Sequence, residues 1–388
     1  MFTLPLIALI LIAAPLVPVF RKSLSGKQAK LPFDAILSSL VVKTASSSES
    51  PLVKDTDYAA YYSDGNLIVE TIEDGAAKDA TKLFISYDKV KTTEIGDDDI
   101  VKGIEAIDLC MATVSITPDL IIAPGWSHTS TVQAVMAAKA EVINGILGAK
   151  SICDIDCSAS GARSYDAVAA KKSATNLIDP AQIAVWPQVK LGSKQFHLST
   201  QLAGLMAKVD SGNDGVPYES PSNKALQCDG ACLEDGTDVT LTLEQANILN
   251  ANGICTALKF MNGFVAWGNY TACYPSNTDI KDYFIPISRM FKWVGNSLIK
   301  TFWSKTDSPM NRRLLDNIKD SANNWLAGLV GSEYLLGARV EILDSENPMT
   351  DLMAGIVRIH IYMTPPSPAQ EIDFVLEYDT DYVQSALA

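Results

Sequence analysis

With 388 residues, 47% of them apolar and 20% charged, the chain is long enough for several domains, each burying its own core. A net charge of −14 argues against a general binder of nucleic acid or of anionic membrane, since phosphate recognition needs a cationic face. The seven cysteines are odd in number and scattered, which is not a disulfide framework.

The chain opens with "MFTLPLIALILIAAPLVPVF", twenty residues without a charge and long enough to cross a bilayer. Pro5, Pro15 and Pro18 interrupt it, no basic residue precedes it, and no clean A-x-A cleavage site follows. A short buried helix followed by a buried strand fits as well. Local grounds leave membrane segment, export signal and buried fold element all open.

From about Lys27 to Asp88 the runs "LVVKT", "DYAAYYS", "NLIVETI" and "KLFISYD" are β-branched and aromatic, and "SDGN" at Ser63–Asn66 is a hairpin turn. This predicts a small antiparallel β domain over 27–94. "GDDD" from Gly96 puts acids at the start of a helix, "IVKGIEAIDLCMATVS". Strands and helices then alternate: "DLIIAPG", "TSTVQAVMAAKAEVINGIL", "AKSICDID", "SYDAVAAKKSA", "QIAVWPQVK" and "HLSTQLAGLMAKV". That order predicts βαβ units on a mainly parallel sheet, within an α/β domain over 95–275.

A hairpin joins "ICTALKF" to "FVAWGNYT" through Met261-Asn262-Gly263. Two amphipathic helices follow, the first carrying Phe284, Ile287, Phe291, Val294, Leu298 and Phe302, the second starting near Met310. "YLLGARVEIL", "GIVRIHIYM" and "EIDFVLEYD" read as closing strands of a helix-plus-sheet domain over 276–388. In the last of these Ile372, Phe374, Leu376 and Tyr378 face one way, and Asp373, Val375 and Glu377 the other. The fold class is thus α+β and multidomain.

Chemistry is sparse. "APGWSHTS" places Ser127 and His128 at a strand-to-helix turn, the setting of a hydrolase nucleophile, but Thr129 stands where the nucleophile elbow requires glycine. His197 and His360 occupy no recognisable triad position. Cys153/Cys157 and Cys228/Cys232 are spaced C-x-x-x-C, whereas structural zinc sites favour shorter knuckles, so reduced thiols are the simpler reading. No phosphate loop, dinucleotide fingerprint or EF-hand is present. No enzyme activity, metal or cofactor is expected. The alternatives carried forward are an α/β hydrolase-like enzyme using Ser127 and His128, and a membrane-anchored surface protein.

Several segments in order resemble the tail sheath proteins of contractile phage tails and R-type pyocin-like particles. They are "DLIIAPGWSH", "IAVWPQVKLG", "YESPSNKALQ", "NGFVAWGNYT" (with Tyr270 where arginine is usual), the two long helices and "RIHIYMTPPSPAQEIDFVLEYD". The resemblance implies a subunit that polymerises around an inner tube and contracts to drive it through a target envelope. It implies as partners other copies of the chain, the tube protein, and baseplate and tail terminator proteins. It places the protein in the virion tail, assembled in the host bacterial cytoplasm, without nucleic acid or membrane anchoring. Terminal arms would join neighbours by adding strands to each other's sheets. The segment with Ile372, Phe374, Leu376 and Tyr378 suits such a subunit interface, as it suits a last strand of its own sheet. Beside a sheath, residues 1–26 read as the remnant of an N-terminal domain whose arm is missing.

Residues 281–319 hold eight basic residues, Arg289, Lys292, Lys300, Arg312 and Arg313 among them, against three acids. In so acidic a chain this is an asymmetry, and a basic patch facing an acidic tube is one explanation. A solvated helix face is the other.

Overall fold

A computed structural model describes residues 20–45, 50–89, 94–261 and 263–387. Most of the apolar opening run and Asn262 of the second hairpin lie outside the described residues. The chain divides into two compact units, Met1–Ala106 and Ile107–Ala388.

In the first unit the strands are β1 (Phe20–Ser23), β2 (Gln28–Pro32), β3 (Val41–Lys43), β4 (Tyr58–Ser63), β5 (Asn66–Thr71) and β6 (Lys82–Ser86). They form two antiparallel three-stranded sheets, ordered β1-β6-β3 and β2-β5-β4. Alternation along β2 and β5 turns Leu31, Leu67 and Val69 inward, to a core shared with Val42, Leu83 and Ile85. The β4–β5 turn sits at Asp64 and Gly65, whose φ of 50° and 69° is the left-handed geometry that Asp-Gly supplies. Helix α1 (Asp97–Glu105) opens on three acids at its positive end. The helix expected to run on to Ser115 instead passes through a 3-10 turn before α2 (Cys110–Val114).

The second unit is built on β7 (Leu120–Ile122), β8 (Lys150–Asp154), β9 (Gln182–Val185) and β14 (Ile254–Lys259), all parallel, with β15 (Phe264–Trp267) antiparallel at one edge. Helices α3 (Ser130–Glu141), α4 (Tyr165–Ala174), α5 (Leu198–Gly212) and α6 (Leu243–Asn250) connect these strands. Two expectations are corrected here. Helix α3 stops at Glu141, because β-branched Val142 and Ile143 lead into a turn at Asn144 and Gly145, both at positive φ. "QIAVWPQVK" is two strands, since Pro187 lacks the N–H that would carry the ladder on. Its second half, β10 (Gln188–Leu191), joins a separate antiparallel sheet with β11 (Lys194–Phe196), β12 (Gly230–Cys232) and β13 (Asp238–Val239), in the order β11-β10-β12-β13.

After short α7 (Ile280–Tyr283) come the long helices α8 (Ile285–Phe302) and α9 (Arg312–Gly331). Pro286 in the first turn suits α8, and Asn311 caps α9 by accepting from Leu314 N–H at 3.0 Å. Both helices pack with β16 (Gly337–Glu341) and, beyond α10 (Met349–Met353), with β17 (His360–Thr364), around Met290, Val294, Leu326 and Val340. β16 and β17 make a two-stranded antiparallel sheet. Helix α11 (Thr380–Leu387) ends the chain.

Among the described residues, Asn296, Asn323 and Asn347 each take both the N–H and the C=O of one distant residue, as a neighbouring strand would. Asn296 of α8 holds Gly148, at 2.9 and 2.7 Å. Asn323 of α9 holds Val340, at 2.9 and 3.3 Å. Asn347 holds Arg358 at 2.7 and 2.9 Å, and donates also to Leu343 C=O.

Candidate assembly surfaces

Among the described residues, the C-terminal tail is the most exposed apolar segment with a regular pattern. Pro365 is buried, and prolines 366 and 368 stiffen the exit. Gln370 accepts a 2.8 Å hydrogen bond from the Tyr270 hydroxyl. Tyr270 is itself stacked on Tyr274, with ring centroids 4.1 Å apart. Beyond this point residues 371–379 join no strand, and every one of them is exposed. Phe374 is 85% exposed and Leu376 94%, beside Ile372 and Tyr378. A side chain of that size left in water forgoes about 1.5–3 kcal/mol. The expectation of a strand here is therefore met only in its alternating pattern, and within one copy the segment has no ladder.

The basic residues of 281–319 do not share a surface. Arg289 is 5% exposed, and both of its terminal nitrogens donate to the Asp210 carboxylate. Lys292 pairs with Glu141, its stem lying against Gly148, where a Cβ would meet Lys292 Cδ at 2.5 Å. Both cations are thus committed to carboxylates of the same chain, where helix α8 meets the parallel sheet. Lys300 is exposed at the end of α8, and Arg312 and Arg313 are exposed at the start of α9. Arg312 has Asp316 one turn on, at 3.6 Å, an exposed pair of little energetic weight. Sequence reasoning could not separate these sets, because the partners Asp210 and Glu141 lie far away in the chain.

Ser127 and His128 stand at the turn between β7 and α3, but the serine is fully buried. Its hydroxyl donates to Asp154 Oδ2 and accepts from Asp154 N–H, both at 3.0 Å. Ser199 adds two further bonds to the same carboxylate. A serine closed off from solvent and bonded to a carboxylate is a brace for the end of β8, and no histidine takes its proton. Asp154, Ser199 and Gln133, which donates to Ser127 C=O, form a buried polar cluster that the sequence did not announce.

Of the cysteines, Cys153, Cys157, Cys232, Cys255 and Cys273 are buried and all seven are free. Burial pushes the Cys153 thiol up to about 12 and that of Cys157 to about 11, so both stay protonated. Among the described residues no three potential ligands gather as a metal site, and no helix is long and apolar enough to cross a membrane.

No known family profile matches the chain. The tail sheath protein of Burkholderia phage BcepMu is 25% identical to it, over 94% of this chain and 78% of that protein. In fold it is similar to the contracted sheath complex of an extracellular contractile injection system, with TM-score 0.57 and 18% identity over 74% of this chain and 82% of that one. It is similar also to the contracted helical sheath of the anti-feeding prophage, with TM-score 0.55 and 20% identity over 71% and 74% of the two chains. The mixed α+β architecture with several sheets is thus shared with these structures, and the resemblance to contractile tail sheath proteins holds in sequence and in fold.

Proposed function

We propose that this chain is a structural subunit of a contractile tail sheath, which polymerises as a helix around an inner tube and contracts to drive the tube through a target envelope. The observation that carries this is the agreement with a phage tail sheath protein along 94% of the chain. The similar structures are themselves sheath assemblies. The subunit needs no cofactor and performs no catalysis. Its first partner is its own kind, joined through the exposed segment with Ile372, Phe374, Leu376 and Tyr378 as an added strand. Backbone hydrogen bonds would supply the connection and the alternating side chains the register.

The tube is the second partner. Lys300, Arg312 and Arg313, exposed as Lys281 and Lys305 also are, would face an acidic tube surface, whereas Arg289 and Lys292 act within the subunit. Baseplate and terminator proteins would contact the two ends of the helix, and assembly would take place in the host bacterial cytoplasm before the sheath becomes part of the virion tail. We assign 27–94 as a β-sandwich-like domain, 95–275 as the α/β middle domain and 276–388 as the C-terminal sheath core domain with its arm strand.

Negative-stain electron microscopy of the purified chain at rising concentration, alone and with the tube protein expressed beside it, tests the proposal. Rings or striated tubes are expected. A chain that stays monomeric in both settings refutes it.

A further inference from the structure

Helix α8 meets the α/β layer along two rows of side chains that differ in kind. Ser288, Lys292 and Asn296 follow one another at four-residue steps and so form a single row on the helix. Ser288 Oγ accepts from the Lys150 amine at 2.5 Å, Lys292 donates to the Glu141 carboxylate and C=O, and Asn296 holds Gly148. All three contacts are polar. The neighbouring row faces α5. Arg289 is paired there with Asp210, and Val216, just beyond α5, is buried in one cluster with Met290 and Val294. Tyr218 lies against Tyr334 in the same cluster, with ring centroids 4.8 Å apart.

Between the rows lies a cavity of about 30 Å³, lined by Asp119, Lys150, Asp210, Arg289, Lys292 and Trp293. It has room for a water. Lys150 is 2% exposed and donates also to Pro180 C=O at 2.8 Å, so its amine bonds to two neutral oxygens. Burial, with Lys292 next in effect, lowers that amine to about 7. Glu141 at the end of α3, Asp179 before β9 and Asp282 of α7 pull the other way. Asp210 is neutralised by Arg289. Asp119 is exposed at the rim, yet the protein packed around its carboxyl raises it.

We infer that the Ser288–Lys292–Asn296 row is a latch: α8 swings off Lys150, Glu141 and Gly148 about its α5 side, and proton uptake at Lys150 drives the opening. The α5 side is the hinge because it holds an apolar cluster and a buried, forked ion pair. The latch row gives up only polar contacts, which water replaces at small net cost. In the open joint Lys150 meets water, and its amine returns towards 10.5. Opening therefore takes up a proton between about 7 and 10.5. It becomes about tenfold more frequent for each unit by which pH falls through that window, and levels off below 7. Asp119 acts with the opposite sign, since its carboxyl holds a proton more readily in the closed joint. The latch goes beyond the sheath reading and does not depend on it.

Amide hydrogen exchange of the full-length chain, expressed as protection relative to an unstructured peptide, tests this from pH 9 to pH 6, in water and in dilute urea. Gly148 N–H, bonded to Asn296, reports the latch, and Val340 N–H, bonded to Asn323, reports the core that stays closed. Gly148 is expected to be the less protected of the two. Its protection should fall about fiftyfold from pH 9 to pH 7 and then level off. Urea should hardly change it, because a swinging helix exposes little new surface. Lys150→Met should abolish the fall. Glu141→Gln, at a carboxylate 61% exposed, should lower Gly148 protection at every pH and keep its slope. Protection at Gly148 that ignores pH, a fall that survives in Lys150→Met, or urea sensitivity equal to that of Val340 overturns the inference. The last of these would mean that α8 leaves only when the whole chain unfolds.

Discussion

Replacing Arg289 with methionine separates an internal strut from a contact residue. The side chain is 5% exposed and forks onto Asp210, which is 16% exposed and belongs to α5, so the pair ties α8 to the parallel sheet's helical layer. Methionine keeps most of the length and apolar volume, and what is lost is the counter-charge of a carboxylate with little water around it. Breaking one side of such a buried pair costs about 3–5 kcal/mol. Removing both charges, as Arg289→Met with Asp210→Leu, is expected to recover most of this, because two well-packed apolar groups replace the pair at little net loss. Urea unfolding followed by tryptophan fluorescence measures it, since Trp293 and Trp325 lie 5.7 Å apart against the same core. The single variant should lower the midpoint while its affinity for tube protein, in the fraction that folds, stays as in the wild type. A stability loss below about 1 kcal/mol together with a salt-sensitive loss of tube binding would refute the strut assignment.

Asp at both Phe374 and Leu376 should leave the unfolding midpoint within about 0.5 kcal/mol of the wild type, because both side chains are exposed, while abolishing tubes in micrographs. Arg312→Glu with Arg313→Glu should weaken cosedimentation with tube protein at low salt and much less at high salt; equal loss at both would exclude a charge contact. Burial, aided by the nearby Lys292, lowers the Lys150 amine from 10.5 to about 7. Between those values the unfolded chain holds a proton that the folded chain lacks, so stability rises as pH goes from 7 towards 10, by up to about 4–5 kcal/mol across the whole shift. Lys150→Met should flatten that rise in urea midpoints at pH 7 and pH 9, and an unchanged slope would refute the assignment. Ser127→Ala removes a donor to buried Asp154 and should cost about 1–3 kcal/mol, whereas a serine-directed covalent probe should leave the wild type unlabelled.

Periodicity carried the regular elements. The parallel strands β7, β8 and β9 read as short apolar runs between helices, and the apolar stripe of α8 was visible at three- and four-residue steps. What escaped was decided by distant partners or by backbone chemistry. Pro187 hands one apolar run to two sheets, and Asn144-Gly145 ends a helix whose composition would have continued it. A list of basic residues could not show that Arg289 and Lys292 are spoken for, since Asp210 and Glu141 are invisible neighbours in a linear reading. The tail is the opposite case. Its alternation is plain in the sequence, but whether an alternating segment finds a ladder depends on which strand edges the fold leaves beside it.

The three asparagines that mimic strand neighbours depend on both halves of the side-chain amide. Each works because an amide offers one donor and one acceptor to a backbone that needs both. Hydrolysis of that amide to a carboxylate keeps the shape and changes the signs: an anionic oxygen would then face the C=O of Gly148 or Val340, where an N–H had pointed. At Asn296 this would pry α8 from the sheet, and at Asn323 it would loosen α9 from β16. An amide in each of these three places does what neither a carboxylate nor an apolar group of the same size could do, so the positions admit asparagine where a surface loop would admit almost anything.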